Sequence, residues 1–280
     1  MKFFQIKKIN KNNLEPIEQF FALSLSCKPD LFANEILNLY KLIGDENAWL
    51  FSKNEKSQSI ISQTLQKILH KEKIKKRWID ASNDIGETIR FYMNELDKLS
   101  LKLYENGIEV LALKNTGIAR GIFIDYSASP MGDIDILVRP EDFLRAHENF
   151  LELGYIFSDR SPFKIKTIKE AFDHGGSEYK CILPNKKILW IELQFRSVAG
   201  RWIQPHQEPS AEYLFANSIP INSSFCRLLS PEDNLLQVCL HTAKHSYVRS
   251  PGFRLHTDVD RIVTRYNINW DKFAKKVESL

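Results

Sequence analysis

The chain predicts an α+β fold: an α/β core at 107–229 set between a helical N-terminal region, 1–106, and a helical C-terminal region, 230–280. Three observations carry this. Apolar residues recur at three- and four-residue spacing through the first hundred positions. From Ile108 onward the pattern changes to alternation and short apolar runs closed by turn residues. After Ser230 the helical spacing returns. No internal repeat or low-complexity linker interrupts the series.

In the first region the spacing predicts helices over 15–26, 30–43, 57–70 and 84–106. Ile85, Ile89, Met93 and Leu96 mark the apolar stripe of the last, and Asn106-Gly107 is its stop signal. In the core, 108–113 reads as a buried strand, Lys114-Asn115-Thr116-Gly117 as a polar turn and 120–123 as a short helix. A strand over 133–138 follows, then a helix opened by Pro140-Glu141-Asp142 and running to 153, then a strand beginning at 154. Pro184-Asn185-Lys186 punctuates a hairpin of 178–183 and 187–196. Helices over 231–246, with Ser230 as N-cap, and over 253–266 precede a terminal piece after 269.

Length and composition fit a globular protein: 280 residues, 43% apolar and 26% charged, with a formal net charge of +4. The charge comes largely from runs such as Lys71 to Arg77 (KEKIKKR). Such a run reads as a solvated face, with a nucleic-acid contact as the alternative. The four cysteines show no CxxC spacing, which fits a reducing compartment better than a disulfide framework or a zinc ribbon. The N-terminal apolar run is too short for a signal peptide, and no stretch approaches a membrane span, so a cytoplasmic location is expected.

The chemistry concentrates in Met131-Gly132-Asp133-Ile134-Asp135-Ile136-Leu137-Val138. Two positions apart on a strand, Asp133 and Asp135 emerge on one face while Ile134, Ile136 and Val138 enter the core. Magnesium takes one or two carboxylates plus water and substrate phosphate, which a D-x-D on a strand can supply. A bare D-x-D also occurs at solvent-facing strand ends. Here, however, two aspartates interrupt an apolar strand that disfavours them. The run 189–196 shows the same alternation, with Glu192, Gln194 and Arg196 opposite Ile191, Leu193 and Phe195. If this strand lies beside 133–138, Glu192 completes a three-carboxylate set and Arg196 adds a phosphate-facing charge. The turn Lys114, Asn115, Thr116 and Gly117, helped by Arg120, could receive a phosphate at a helix N-terminus, or could simply be how the chain leaves a strand.

His241 and His245 share a helix face. A zinc-protease reading fails because Thr242, not glutamate, follows the first. With Lys244, Tyr247, Arg249 and Arg254 they form either a phosphate- or base-contacting surface or a set of buried and capping residues. Asp258 and Asp260 look helical and point apart; Asp258 is expected in an ion pair.

Leu113-Lys114-Asn115-Thr116-Gly117, Gly132 to Val138, Trp190 to Arg196 and Leu240-His241-Thr242-Ala243-Lys244-His245, in that order, resemble the uncharacterised nucleotidyltransferase family of the polymerase-β-like superfamily over 108–266. The resemblance implies a small mixed sheet backed by helices, with Asp133 and Asp135 as paired metal ligands and Glu192 as the third acidic position. It implies a Mg²⁺-dependent enzyme, Mn²⁺ being possible, that moves a nucleotide from a nucleoside triphosphate to a hydroxyl on RNA, protein or a small molecule. Where the superfamily carries a Gly-Ser pair, this chain has Thr116-Gly117, and glutamate replaces the more frequent aspartate at 192. An idle binding module on the same fold is the alternative of a different class. A D-x-D glycosyltransferase would require a longer Rossmann-like half before the motif, which the helical first third does not supply, and a Glu-x-Lys nuclease would need lysine at Gln194.

Overall fold

The computed structural model describes residues 14–69, 73–122, 125–158, 160, 165–197, 205–246 and 252–278, the side chains of 205 and 244–246 excepted. Helices α1 (Pro16–Ser24), α2 (Ala33–Ile43), α3 (Asp45–Asn54) and α4 (Gln58–Ile68) pack around Phe20, Phe21, Ile36, Ile61 and Leu65, and Trp78 of α5 (Lys76–Glu105) closes this core. These side chains are fully buried, each burial being worth about 1.5–3 kcal/mol.

Two elements here differ from the sequence expectation. Helix α3 was not foreseen because it buries only Ala48 and Ser52, too few apolar positions to make a stripe; Asp45 and Glu46 in its first turn favour it through the helix dipole. Helix α5 begins at Lys76 instead of 84 because its first turns insert Trp78, whose Nε1 donates to Asp45 Oδ1 at 2.7 Å. Lys75 and Arg77 also pair with Asp45, and Arg77 with Glu46. Within the basic run, Lys75 and Arg77 thus tie α3 to α5.

The sheet runs β3-β4-β5-β2-β1-β7-β6, from β1 (Val110–Ala112), β2 (Asp133–Leu137), β3 (Ile156–Phe157), β4 (Gly176–Ile182), β5 (Ile188–Gln194), β6 (Ile219–Pro220) and β7 (Cys226–Leu228). It is mixed: β2 with β5 and β1 with β7 are parallel, and the other neighbours are antiparallel. Alternation puts Ile134, Ile136, Tyr179, Ile191 and Leu193 into the main core with Met93 and Leu96 of α5 and Phe143 and Phe150 of α7 (Phe143–Glu152). Against the opposite face, α9 (Ala211–Ala216) covers Leu111 and Leu137. Helix α8 (Ile168–His174) leads into β4.

The segment 114–117 corrects the sequence reading. It is no turn before a later helix but the opening of α6 (Lys114–Gly121), which starts directly after β1. Gly117 permits this: a Cβ there would lie 2.9 Å from the carbonyl oxygen of Ala112, so only glycine lets helix and strand approach so closely. Ile118 of α6 packs with Leu235 and Val238 of α10 (Pro231–Ser246) and Ile262 of α11 (Phe253–Arg265), and α12 (Trp270–Glu278) rests on α10. Ser230 caps α10 by accepting from Asp233 N–H at 3.3 Å, and Asp258 pairs with Arg261. All four cysteines are free, and among the described residues no helix is long and apolar enough to cross a membrane.

Candidate active site

Strands β2 and β5 run parallel in a register that sets Asp133 beside Trp190 and Asp135 beside Glu192; on β4, Glu178 lies opposite Glu192. Since alternate residues share a face, four carboxylates from three strands meet on the side of the sheet away from α5. The conditional reading of the sequence, that Glu192 joins the aspartates if the two strands are neighbours, is met by this register.

Two cations enter the cluster. Lys114 Nζ lies 2.6 Å from Asp135 Oδ1 and 3.1 Å from Glu192 Oε2. It reaches them from the first residue of α6, in a left-handed backbone (φ +48°) whose N–H donates to Gln237 Oε1 of α10 at 2.9 Å. Gln237 in turn donates to the carbonyl oxygen of Ser197. Arg160 Nη2 lies 2.7 Å from both Asp133 Oδ2 and Glu178 Oε1 and 3.2 Å from Glu192 Oε1. Gln194 donates to Glu192 at 2.7 Å and to Asp135 at 3.3 Å.

Burial, together with the Glu192 and Asp133 carboxylates, pushes Asp135 well above its usual range despite the pull of Lys114. Burial also opposes charge on Glu192, but there Lys114, the bond to Asp135 and Arg160 prevail and bring it down to about 2. Lys114 loses some affinity for its proton through burial and gains more from Asp135 and Glu192, so it stays charged.

Among the described residues no three acidic, histidine or cysteine side chains form a ready-made cation cage. The donor chemistry nevertheless suits a hard divalent cation. Asp133, Asp135 and Glu192 present carboxylate oxygens on one face, and the amide oxygen of Gln194 is buried there without a hydrogen-bond partner. Four carboxylates against two cationic side chains leave room for further positive charge.

The remaining sequence candidates divide. Thr116 is buried and accepts from Asp135 N–H at 2.8 Å, so its hydroxyl is committed to holding β2. Asn115 sits beside it in the first turn of α6. Arg120 is turned away from the carboxylates, to Asp97 and Ser223, because it lies at the far end of α6. Arg196 pairs with Glu208. His241 is half-buried on α10, while the side chains of Lys244 and His245, and Tyr247 and Arg249 entirely, lie outside the described residues. Arg254 donates to the carbonyl oxygen of Pro130 at 2.8 Å. The sequence reading missed Arg160, Glu178 and Gln237. Glu178 and Gln194 had a signal, since both occupy the polar positions of the predicted hairpin strands; Arg160 and Gln237 arrive from a connection and a helix with no pattern to mark them.

This seven-stranded mixed sheet, with its helices on either side, is an α+β fold. Residues 53–280 match the family described as uncharacterised nucleotidyltransferase, and the chain belongs to that family. It is thus a nucleotidyltransferase, and the family match takes in α4 and α5, beyond the 108–266 over which the resemblance was drawn. No curated protein matches the chain. Among solved structures it is similar to an antigenic nucleotidyltransferase-like protein from Paracoccidioides brasiliensis, at 15% identity and a TM-score of 0.41 over 61% of this chain and 74% of that one. It is also similar to the antibiotic-resistance factor ANT(2'')-Ia, at 12% identity and a TM-score of 0.40 over 68% of this chain and 88% of that one.

Proposed function

We propose that this enzyme moves a nucleoside monophosphate from a nucleoside triphosphate to an acceptor hydroxyl, with Mg²⁺ held by Asp133, Asp135 and Glu192 and Mn²⁺ able to replace it. The observation that carries the reading is the parallel register of β2 and β5, which brings a D-x-D pair and a third carboxylate together beside the N-terminus of α6. Bound there, the ion would supply Lewis-acid stabilisation of the negative charge that builds up on the phosphates.

The chain's own residues do the rest. In the first turn of α6 the Lys114 and Gly117 amides are taken by Gln237 and Leu113, and the amides of Asn115 and Thr116 between them are the ones offered to the triphosphate, as helix N-termini do for anions. Thr116 holds β2 and α6 in one unit, so the carboxylates and those amides keep a fixed spacing. Lys114 steadies Asp135 and Glu192. Glu192, kept ionised, accepts a hydrogen bond from the acceptor hydroxyl and aims its oxygen at the α-phosphorus. A carboxyl held at about 2 is a better hydrogen-bond acceptor than a base. The new P–O bond forms as the bond to the departing pyrophosphate breaks, and the hydroxyl proton, lost late in a loose transition state, passes along the hydrogen bond to Glu192 and on to solvent water. The free cysteines fit a reducing, cytoplasmic setting.

The test is Asp133→Asn with Asp135→Asn: transfer of labelled nucleotide should be abolished while cooperative melting is kept. Full transfer in the double variant overturns the reading. Incubating wild-type enzyme with each labelled nucleoside triphosphate in cell extract then identifies the acceptor by the label it carries.

A further inference from the structure

Arg160 lies in the connection after β3, and its contacts fall into two groups of different strength. The first is an anchor on Glu178: the backbone N–H of Arg160 donates to Oε2 at 2.5 Å, and its Nε and Nη2 donate to Oε1 at 2.8 and 2.7 Å. The guanidinium also lies over the Trp190 ring, 5.0 Å from the centroid, an attraction that supports the same placement. The second group is one nitrogen reaching further: Nη2 also touches Asp133 Oδ2 at 2.7 Å and Glu192 Oε1 at 3.2 Å.

An arginine Nη carries two hydrogens, and here one such nitrogen faces three carboxylate oxygens. Its bonds to Asp133 and Glu192 are therefore shared and readily exchanged, whereas Nε and the backbone N–H keep the side chain at the rim of the cluster. A guanidinium fork is also well matched to phosphate oxygens.

We propose that Arg160 is a triphosphate-binding residue of this site, anchored by Glu178 and Trp190, whose Nη2 exchanges the Asp133 and Glu192 oxygens for phosphate oxygens when those two carboxylates turn to a divalent cation. This rests on the function proposed above. Until that exchange the arginine and the cation compete for the same two carboxylates. Afterwards the arginine adds to nucleotide affinity. The two effects of removing it therefore have opposite signs, whereas a purely structural role would weaken both kinds of binding.

The experiment measures Mn²⁺ binding through loss of the free-ion electron paramagnetic resonance signal. Nucleotide binding is measured at saturating Mn²⁺ with a fluorescent, non-hydrolysable ATP analogue. In Arg160→Gln, Mn²⁺ affinity should rise roughly tenfold and nucleotide affinity fall roughly tenfold, the scale of one charge-assisted contact. Glu178→Gln should lower nucleotide affinity without tightening Mn²⁺, because it loosens the anchor and leaves the competing charge in place. Should Arg160→Gln fail to fold, Arg160→Lys serves: it keeps the charge, so Mn²⁺ affinity should stay at the wild-type value while nucleotide affinity falls. An Arg160→Gln protein that weakens both, or changes neither, overturns the inference while leaving the function standing, provided wild type binds Mn²⁺. A folded wild type and a folded variant that both fail to bind Mn²⁺ overturn both proposals.

Discussion

Asp135 and Glu192 stand in register on neighbouring parallel strands, and the ammonium of Lys114 lies between their carboxylates, 2.6 Å from one and 3.1 Å from the other. The side chain of Asp135 is only 6% exposed and burial holds its carboxyl well above the usual range even beside Lys114, so the negative charge that Lys114 chiefly balances is that of Glu192. Removing one partner of a buried pair leaves a charge in low dielectric, which typically costs about 3–5 kcal/mol. Lys114→Met should lower stability by less than that, because Asp135 already favours its protonated form and Glu192 is only partly buried. Divalent cation should restore part of the loss: millimolar Mn²⁺ should raise the melting temperature of Lys114→Met more than that of wild type. Equal responses to Mn²⁺ would show that Lys114 and the cation do not share these carboxylates.

Thr116 ties α6 to β2 through one bond, its Oγ1 accepting from Asp135 N–H at 2.8 Å in a buried setting. Thr116→Val keeps the shape and removes the acceptor, leaving a buried N–H unsatisfied at a cost of about 1–3 kcal/mol. Because the N–H belongs to Asp135, hydrogen exchange at that amide should accelerate beyond the general loss of stability. Unchanged protection at residue 135 would refute the assignment.

How much of this was legible in the sequence follows from which forces act locally. The alternation of Asp133 and Asp135 with Ile134 and Ile136 fixed which side chains share a face, because strand periodicity is a backbone property. The hairpin of β4 and β5 was marked by its Pro184-Asn185-Lys186 turn. Whether β5 lies beside β2 is a long-range choice that no local pattern encodes, and Glu192 meets Asp135 only through that pairing. The sequence reads Lys114 as a phosphate contact, yet it turns to the carboxylates because α6 begins at that residue, and a polar run that also looks like a turn hides the start. Arg160 belongs to no periodic element, so only the three-dimensional path of its connection brings it to the cluster.

The N-terminal helices depend on one carboxylate. Asp45 accepts from Trp78 at 2.7 Å and from Tyr40, and pairs with Lys75 and Arg77. Burial would raise its carboxyl, but Lys75, Tyr40, Trp78 and Arg77 outweigh burial and lower it from 3.8 to about 2. A carboxyl held below its unfolded value contributes stability that is complete above the unfolded value and is lost as pH falls through the folded one. A difference of roughly two pKa units corresponds to about 2–3 kcal/mol. Asp45→Asn should cost about that much at neutral pH, and its deficit against wild type should shrink as pH falls from about 4 to about 2. Urea melts across that range check it; a deficit independent of pH would assign the loss to packing instead.

Gly117 sets the distance between α6 and β1. An added Cβ would lie 2.9 Å from the carbonyl oxygen of Ala112, which is backbone and cannot swing aside. Alanine is better than glycine inside a helix by about 1 kcal/mol, so local propensity alone makes Gly117→Ala stabilising. Overpacking of this kind costs about 1–3 kcal/mol, and the balance favours destabilisation. The helix that must retreat carries Lys114 and Thr116, both bonded to the carboxylate cluster or its strand, so nucleotidyl transfer should fall further than the melting temperature alone accounts for. Gly132→Ala is the control: it adjoins Asp133, yet its added methyl meets nothing within 4 Å, and stability and transfer should both stay at wild-type values. A Gly117→Ala protein as stable and as active as wild type would mean that α6 can move off β1 without disturbing the site.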